Sequence, residues 1–324
     1  MRFGIIGGGA WGTALGHLLS DRGDVLLWAR EAAVVESINE RHENTVFLPG
    51  VRLSLQVRAT DDLVAIRACD ALLIVTPAQF VRATLTALGD PLQPLILCAK
   101  GIETGTMLLM SEVAADCCPS APIAILSGPT FAAEVARGLP TAITLACEDS
   151  ALGARLVEAL ARPHFRPYLS DDVIGAEIGG AVKNVLAVAC GVATGAKLGQ
   201  NAQAALIARG FAEMTRFGLA RRARAETLAG LSGLGDLVLT CSSTQSRNFS
   251  LGVALGEGKR AADVLGSRTS VAEGAFTAPV LLQAAHQAGV EMPVVEAVCA
   301  LLDGRTAIDN VMNDLLSRPL RGEG

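Results

Sequence analysis

The sequence predicts an α/β protein whose N-terminal half is a mostly parallel sheet and whose C-terminal half is all helix. Three observations carry this. A glycine-rich turn joins an apolar strand to a helical run at the N-terminus, strand-like and helical runs then alternate, and after about residue 170 nearly everything has a helical pattern. Alternation of the first kind builds a parallel sheet covered by helices on both faces.

The first element is the most informative. Residues 2–14 read RFGIIGGGAWGTA, a short apolar run leading into Gly7-x-Gly9-x-x-Gly12 and then into Ala14, Leu15, Leu18 and Leu19 at helical spacing. Each glycine answers a separate need: Gly7 the tight turn, Gly9 the close approach of bare backbone to a pyrophosphate, Gly12 the packing of helix on strand. The helix then directs its N–H groups at the phosphates. A second apolar run, 25–28, closes a Rossmann-type unit.

Further strands are expected at 71–75, 95–99, 123–126 and 141–146, with helices near 78–88, 105–117 and 150–161. A long Ala- and Val-rich helix is expected over 173–198. The boundary is placed near residue 178, giving a dinucleotide-binding domain at 1–178 and a helical substrate and catalytic domain at 179–324. A chain of 324 residues fits two such units.

With 51% hydrophobic and 18% charged residues the chain is globular, and its apolar balance points to surface buried in a domain interface or an oligomer such as a homodimer. Lys183, Asn184 and several glycines interrupt the longest apolar stretch, 178–199, so no membrane-embedded segment is expected. The first strand leads into a structural turn rather than a cleavage site, so a cytoplasmic location is expected. The net charge of −5 and the absence of aromatics among Arg221, Arg222 and Arg224 argue against a nucleic-acid surface, and that basic run reads as a solvated helix end. Eight scattered cysteines without a CxxC read as small core residues in a reducing compartment. Four histidines far apart in sequence give no metal site.

Several strands end in polar or turn residues, at Thr76-Pro77, Lys100-Gly101 and Ser127-Gly128-Pro129-Thr130. Ligands bind beyond the carboxyl ends of such strands, so Lys100 is either a site residue or an ordinary surface lysine. The second strand ends Trp28-Ala29-Arg30, where an arginine suits a 2′-phosphate; Glu31 follows, so NADP is favoured with NAD tolerated.

In the second half, GGAVKNVLAVACGVA sets Lys183 and Asn184 within a helix of small apolar residues. Such a lysine either snorkels to water or is held for use, and desolvation would lower its pKa into the range of proton transfer. Gly179 and Gly180 are expected to leave room for a ligand against that helix. Downstream, Asp236 lies in a glycine turn and Ser246-Arg247-Asn248 precedes another helical run. That trio is either an anion receptor or a helix cap.

In order and approximate spacing, these motifs resemble the bacterial NAD(P)-dependent sn-glycerol-3-phosphate dehydrogenases. The residues that carry the likeness are Gly7-x-Gly9-x-Trp11-Gly12-Thr13-Ala14, Ala99-Lys100-Gly101, Ser127-Gly128-Pro129-x-x-Ala132-x-Glu134, Lys183-Asn184, Gly233-x-Gly235-Asp236 and Ser246-Arg247-Asn248. The resemblance spans essentially the whole chain. It implies interconversion of dihydroxyacetone phosphate and sn-glycerol 3-phosphate in the cytoplasm, at the entry to phospholipid synthesis. By analogy Lys183 gives and takes the proton, with Lys100 adding positive charge and Asp236 orienting Lys183. Lys100, Gly128, Thr130, Lys183, Asp236, Ser246, Arg247 and Asn248 match substrate positions. Gly7, Gly9, Gly12, Trp11, Arg30, Lys100, Ala132, Arg247, Val271 and Glu273 match cofactor positions. Ala10 and Thr130 stand where many members carry serine. Two other readings share the fold: a dehydrogenase of a β-hydroxy acid or ketopantoate, and a non-catalytic nucleotide sensor.

Overall fold

The computed structural model describes residues 1–266 and 272–304, with 306, 308 and 310. The N-terminal half begins β1 (Phe3–Ile6), α1 (Ala10–Leu19), β2 (Val25–Trp28), α2 (Ala32–Arg41), β3 (Val57–Thr60), β4 (Ala71–Ile74) and α3 (Val81–Leu88). It continues with β5 (Leu95–Leu97), α4 (Met110–Cys117), β6 (Ile123–Ser127), α5 (Ala132–Ala136), β7 (Thr141–Ala146), α6 (Ser150–Leu160) and β8 (Phe165–Ser170). The eight strands form one sheet in the order β3-β2-β1-β4-β5-β6-β7-β8. All neighbours are parallel except β6 and β7. The first six strands have the Rossmann order, which places the turn after β1 at the point where the strand order reverses.

The central strands read as uninterrupted apolar runs because both sheet faces are covered. Ile5, Leu27, Leu73 and Ile96 join one buried cluster with Leu15, Leu19, Val34 and Leu156. Their neighbours Ile6, Leu72, Ile74 and Leu97 join another with Val81, Leu85, Met110 and Val113. The period-two alternation of side chains divides each strand between two cores.

β3 and β8 were not among the expected strands. β3 carries an exposed Arg58 and β8 carries Arg166 and Pro167, residues that suit sheet edges but weaken an apolar pattern.

The second half is helical, as expected: α7 (Val173–Gly195), α8 (Gln200–Ala220), α9 (Ala225–Leu228), α10 (Asp236–Cys241), α11 (Arg247–Gly256), α12 (Ala261–Gly266), α13 (Glu273–Gln287) and α14 (Pro293–Leu302). Asp172 caps α7, its Oδ1 accepting from the Gly175 amide at 2.8 Å. Every residue of α7 from 175 to 193 is buried, with the other helices packed around it. Residue 178 lies in its second turn. Among the described residues α7 alone is long and apolar enough to cross a membrane, and 94% of that window is buried inside the protein.

Where α7 meets α11 the two helices touch backbone to backbone. A methyl on Gly191 or Gly195 would run into the Phe249 or Val253 carbonyl, and one on Gly252 or Gly256 into the Val188 or Val192 carbonyl. All eight cysteines are free, and all but Cys117 are buried. The basic run follows the end of α8 with Arg222 and Arg224 exposed to solvent; Arg221 pairs with Glu112 at 3.2 Å and Arg224 with Asp171.

Candidate active site

The glycine turn has the shape its sequence requires. Gly7 has φ +132°, and a Cβ there would lie 2.9 Å from the Val75 carbonyl. A methyl on Gly12 would run into the carbonyl oxygen of Gly7, so only glycine lets α1 start this close to β1. Gly9 differs: a Cβ there would meet nothing within 4 Å, so its outer face is open. Gly9 is also the N-cap of α1 and supplies no side-chain cap, which leaves the first-turn N–H groups directed at that open face. These residues fit a dinucleotide pyrophosphate. Trp11 is partly buried against the cluster of Ala14, Leu48 and Ala136, and Ala132 at the start of α5 packs on the same cluster. Arg30 lies exposed beyond β2, paired with Glu31 at 3.0 Å.

At the carboxyl ends of β5 and β6 the structure brings together residues from both halves. Lys100 Nζ donates to Asp236 Oδ2 at 2.6 Å and to the Gly128 carbonyl at 3.1 Å. Lys183 Nζ donates to the other oxygen of the same carboxylate, Oδ1, at 2.9 Å, and to Thr240 Oγ1 at 2.9 Å. Two ammonium groups thus bridge one carboxylate, with side-chain exposures of 15% for Lys100, 9% for Lys183 and 1% for Asp236. Lys183 is held, not snorkelling. Thr130 lies beside them, its hydroxyl donating to the Gly128 carbonyl at 3.3 Å.

Burial sets the electrostatics. It pushes the Lys183 ammonium down to about 8, with Lys100 adding to the fall and Asp236 opposing it. Burial alone would raise Asp236, but Lys100 and Lys183 outweigh it and hold the carboxyl below its ordinary value.

Gly179 and Gly180 do not open space for a ligand. A Cβ on Gly180 would lie 3.0 Å from Ser127 Oγ and 3.2 Å from Lys100 Cγ, while Gly179 meets the backbone of the turn at Ser232 and Gly233. The room they make is filled by protein. It lets the Lys100 stem and the Asp236 turn close on α7.

The Ser246-Arg247-Asn248 run is also a helix start. Ser246 caps α11, its Oγ accepting from the Phe249 amide at 3.2 Å. Asn248 donates to Asn184 Oδ1 at 2.9 Å and accepts from the Gly274 amide at 2.9 Å, joining α11 to α7 and α13. Arg247 is exposed, and its charge acts on Glu273. Glu273, at the start of α13, accepts from the Ala78 amide at 3.2 Å and so links the helical half to the end of β4. Burial raises its carboxyl and Arg247 opposes the rise. Val271 lies outside the described residues.

Two polar residues escaped the sequence reading. Thr240 shares a helix face with Asp236 at a spacing of four residues, a signal that could have found it. Asn44, buried beneath the glycine turn, had no local signal.

The family patterns decide among dehydrogenases of this plan. The pattern described as NAD-dependent glycerol-3-phosphate dehydrogenase N-terminus matches residues 2–153, and that of the C-terminus matches 172–313. The chain belongs to the NAD-dependent glycerol-3-phosphate dehydrogenase family. The resemblance seen in the motifs is borne out.

Curated members of the glycerol-3-phosphate dehydrogenase family align end to end with it. The chain is 59% identical to glycerol-3-phosphate dehydrogenase [NAD(P)+] 1 of Sphingopyxis alaskensis over 323 residues, 99% of this chain and 98% of that one. It is 61% identical to glycerol-3-phosphate dehydrogenase [NAD(P)+] of Erythrobacter litoralis over 320 residues, 98% and 97% of the two chains. The crystal structure of glycerol-3-phosphate dehydrogenase from Coxiella burnetii superposes with a TM-score of 0.93 at 38% identity, covering 98% of this chain and 99% of that one.

Proposed function

We propose that this chain interconverts dihydroxyacetone phosphate and sn-glycerol 3-phosphate with NAD(P)H, and that Lys183 carries the proton. The observation that bears most weight is the Lys100–Asp236–Lys183 bridge, formed where the carboxyl ends of the strands meet α7. It supports a general acid held out of water, charged at neutral pH and close enough to its pKa to give the proton up.

In the pyrophosphate cradle, Gly7, Gly9 and Gly12 with the start of α1 would hold the dinucleotide. Trp11, Arg30, Ala132, Arg247, Glu273 and Val271 are its proposed further contacts. Bound there, reduced nicotinamide supplies the hydride for the substrate's C2. Lys183 delivers its proton to the oxygen on C2 and becomes neutral, so the ketone leaves as the alcohol with charge in balance. Lys100 adds positive charge beside the developing alkoxide. Asp236 holds both ammonium groups in place, and Gly128 and Thr130 border the same end of the site. Arg247 presents its guanidinium to the substrate phosphate, with Ser246 and Asn248 fixing the helix start that carries it.

Exposed Arg30 favours NADP, while its partner Glu31 leaves NAD acceptable. Family membership supports a cytoplasmic enzyme whose product enters glycerophospholipid synthesis, and the apolar composition suits a homodimer. The deciding experiment is a steady-state assay of dihydroxyacetone phosphate against NADPH and NADH. Turnover with either, and none with ketopantoate, is expected; no turnover with both cofactors overturns the reading.

A further inference from the structure

We propose that Asn44 is a positioning residue for the dinucleotide, setting the direction of the Gly9 amide. This rests on the dinucleotide reading given above.

Asn44 lies in the loop between α2 and β3 and is 0% exposed. His42, with φ +53°, ends α2 and turns the chain towards α1. The Asn44 amide is fully used: Nδ2 donates to the Gly8 carbonyl at 2.8 Å and to Thr13 Oγ1 at 2.8 Å, and Oδ1 accepts from the Phe47 amide at 3.0 Å. The second link from Thr13 Oγ1 to the Gly8 carbonyl spans 3.5 Å, at the outer limit of a hydrogen bond. Asn44 therefore carries the restraint on that carbonyl.

The restraint matters because of peptide geometry. In a trans peptide the C=O and the following N–H point to opposite sides. Holding the Gly8 carbonyl inward on Asn44 aims the Gly9 N–H the other way, and among the described residues no peptide bond is cis. Three consecutive glycines have enough conformational freedom for this peptide to flip at small cost. A flipped peptide would turn a carbonyl oxygen, not an amide hydrogen, on the pyrophosphate. A residue 36 positions away from Gly8 thus fixes the polarity of the anion site.

The test is equilibrium binding of NADPH and NADH to the full chain, with steady-state constants alongside. Asn44→Asp keeps the shape and the acceptor for the Phe47 amide but replaces the Nδ2 donor. Its Kd for both dinucleotides should rise about tenfold, the scale of one lost hydrogen bond, while the KM for dihydroxyacetone phosphate stays within about twofold. Unchanged dinucleotide affinity in the folded variant overturns the proposal, and so does an equal weakening for both substrates, which would mark a general loosening. Should Asn44→Asp fail to fold, Thr13→Val decides: it removes a hydroxyl that holds Asn44 in place, and about a threefold rise in Kd is expected, no rise overturning the proposal. Failure of the unaltered protein to bind either dinucleotide would instead remove the reading on which the proposal stands.

Discussion

Lys183 on α7 donates to Asp236 at the start of α10 across 2.9 Å, and both side chains are almost wholly withdrawn from water. A buried ammonium is tolerated only with a partner, and this partner is shared with Lys100. The arrangement holds Lys183 at about 8, far below an exposed lysine. With Lys183 in the proposed role, reduction of the ketone needs the protonated form. Its kcat/KM should therefore fall above pH 8, while oxidation of sn-glycerol 3-phosphate, which needs the neutral form, should rise through the same window. Profiles in both directions between pH 6.5 and 9.5 check this; two flat profiles would remove Lys183 from the role.

Lys183→Ala should lower turnover by on the order of 10² to 10⁴, the usual contribution of a positioned acid. Dinucleotide affinity should survive, because the glycine turn is built without Lys183. Turnover and NADPH binding measured on the same preparation separate the two effects.

Asp236→Asn leaves the buried Lys183 ammonium and the half-buried Lys100 ammonium facing a neutral amide. A loss of about 3 kcal/mol in unfolding free energy is expected, as for other buried pairs that lose one member. Because Asp236 pulls the Lys183 pKa up, the pH limit on ketone reduction should also move below 8. Urea titration reads the first effect and the pH profile the second. A stable variant with an unmoved profile would contradict the bridge.

Much of this site was legible in the sequence, and the unread parts share a cause. The glycine turn could be read because its requirements lie within a dozen consecutive residues. Lys183 stood out because a charge in a small-residue helix breaks a local pattern. That Lys100 and Lys183 share Asp236 could not be read, since the three residues come from separate elements and meet only when the two halves close. Gly179 and Gly180 misled for the same reason: sequence shows that a glycine makes room but not what fills it. β3 and β8 lacked an apolar pattern because edge strands face water.

A second buried carboxyl bears on stability. Glu177 on α7 accepts hydrogen bonds from the backbone and hydroxyl of Ser111 at the start of α4, and burial pushes it up to about 7. Its folded pKa exceeds the unfolded one, so its contribution is complete below pH 4.5 and is lost as pH rises through 7. Glu177→Gln can keep both contacts without a charge. The variant should gain on the wild type by on the order of 1 to 3 kcal/mol between pH 4.5 and 7.5, read from urea midpoints. A constant difference across that range would show that Glu177 does not titrate there.

Gly252→Ala places a methyl against the Val188 carbonyl of α7. Neither helix can retreat without disturbing its neighbours, so a loss of about 2 kcal/mol or more is expected from thermal or urea unfolding. An alanine tolerated without loss would mean that the crossing is looser than it stands.

That crossing also does something a side-chain contact could not. Lys183 lies two turns before Gly191 on one helix, and Arg247 stands just ahead of Gly252 on the other. Main chain against main chain leaves no rotamer to absorb a shift, so the helices act as the jaws of a caliper locked at one opening. On the proposed roles, with Lys183 as proton donor on one jaw and Arg247 facing the phosphate from the other, the enzyme would gauge its substrate by length. A phosphorylated ketone one carbon longer would reach the guanidinium only by drawing its carbonyl away from Lys183.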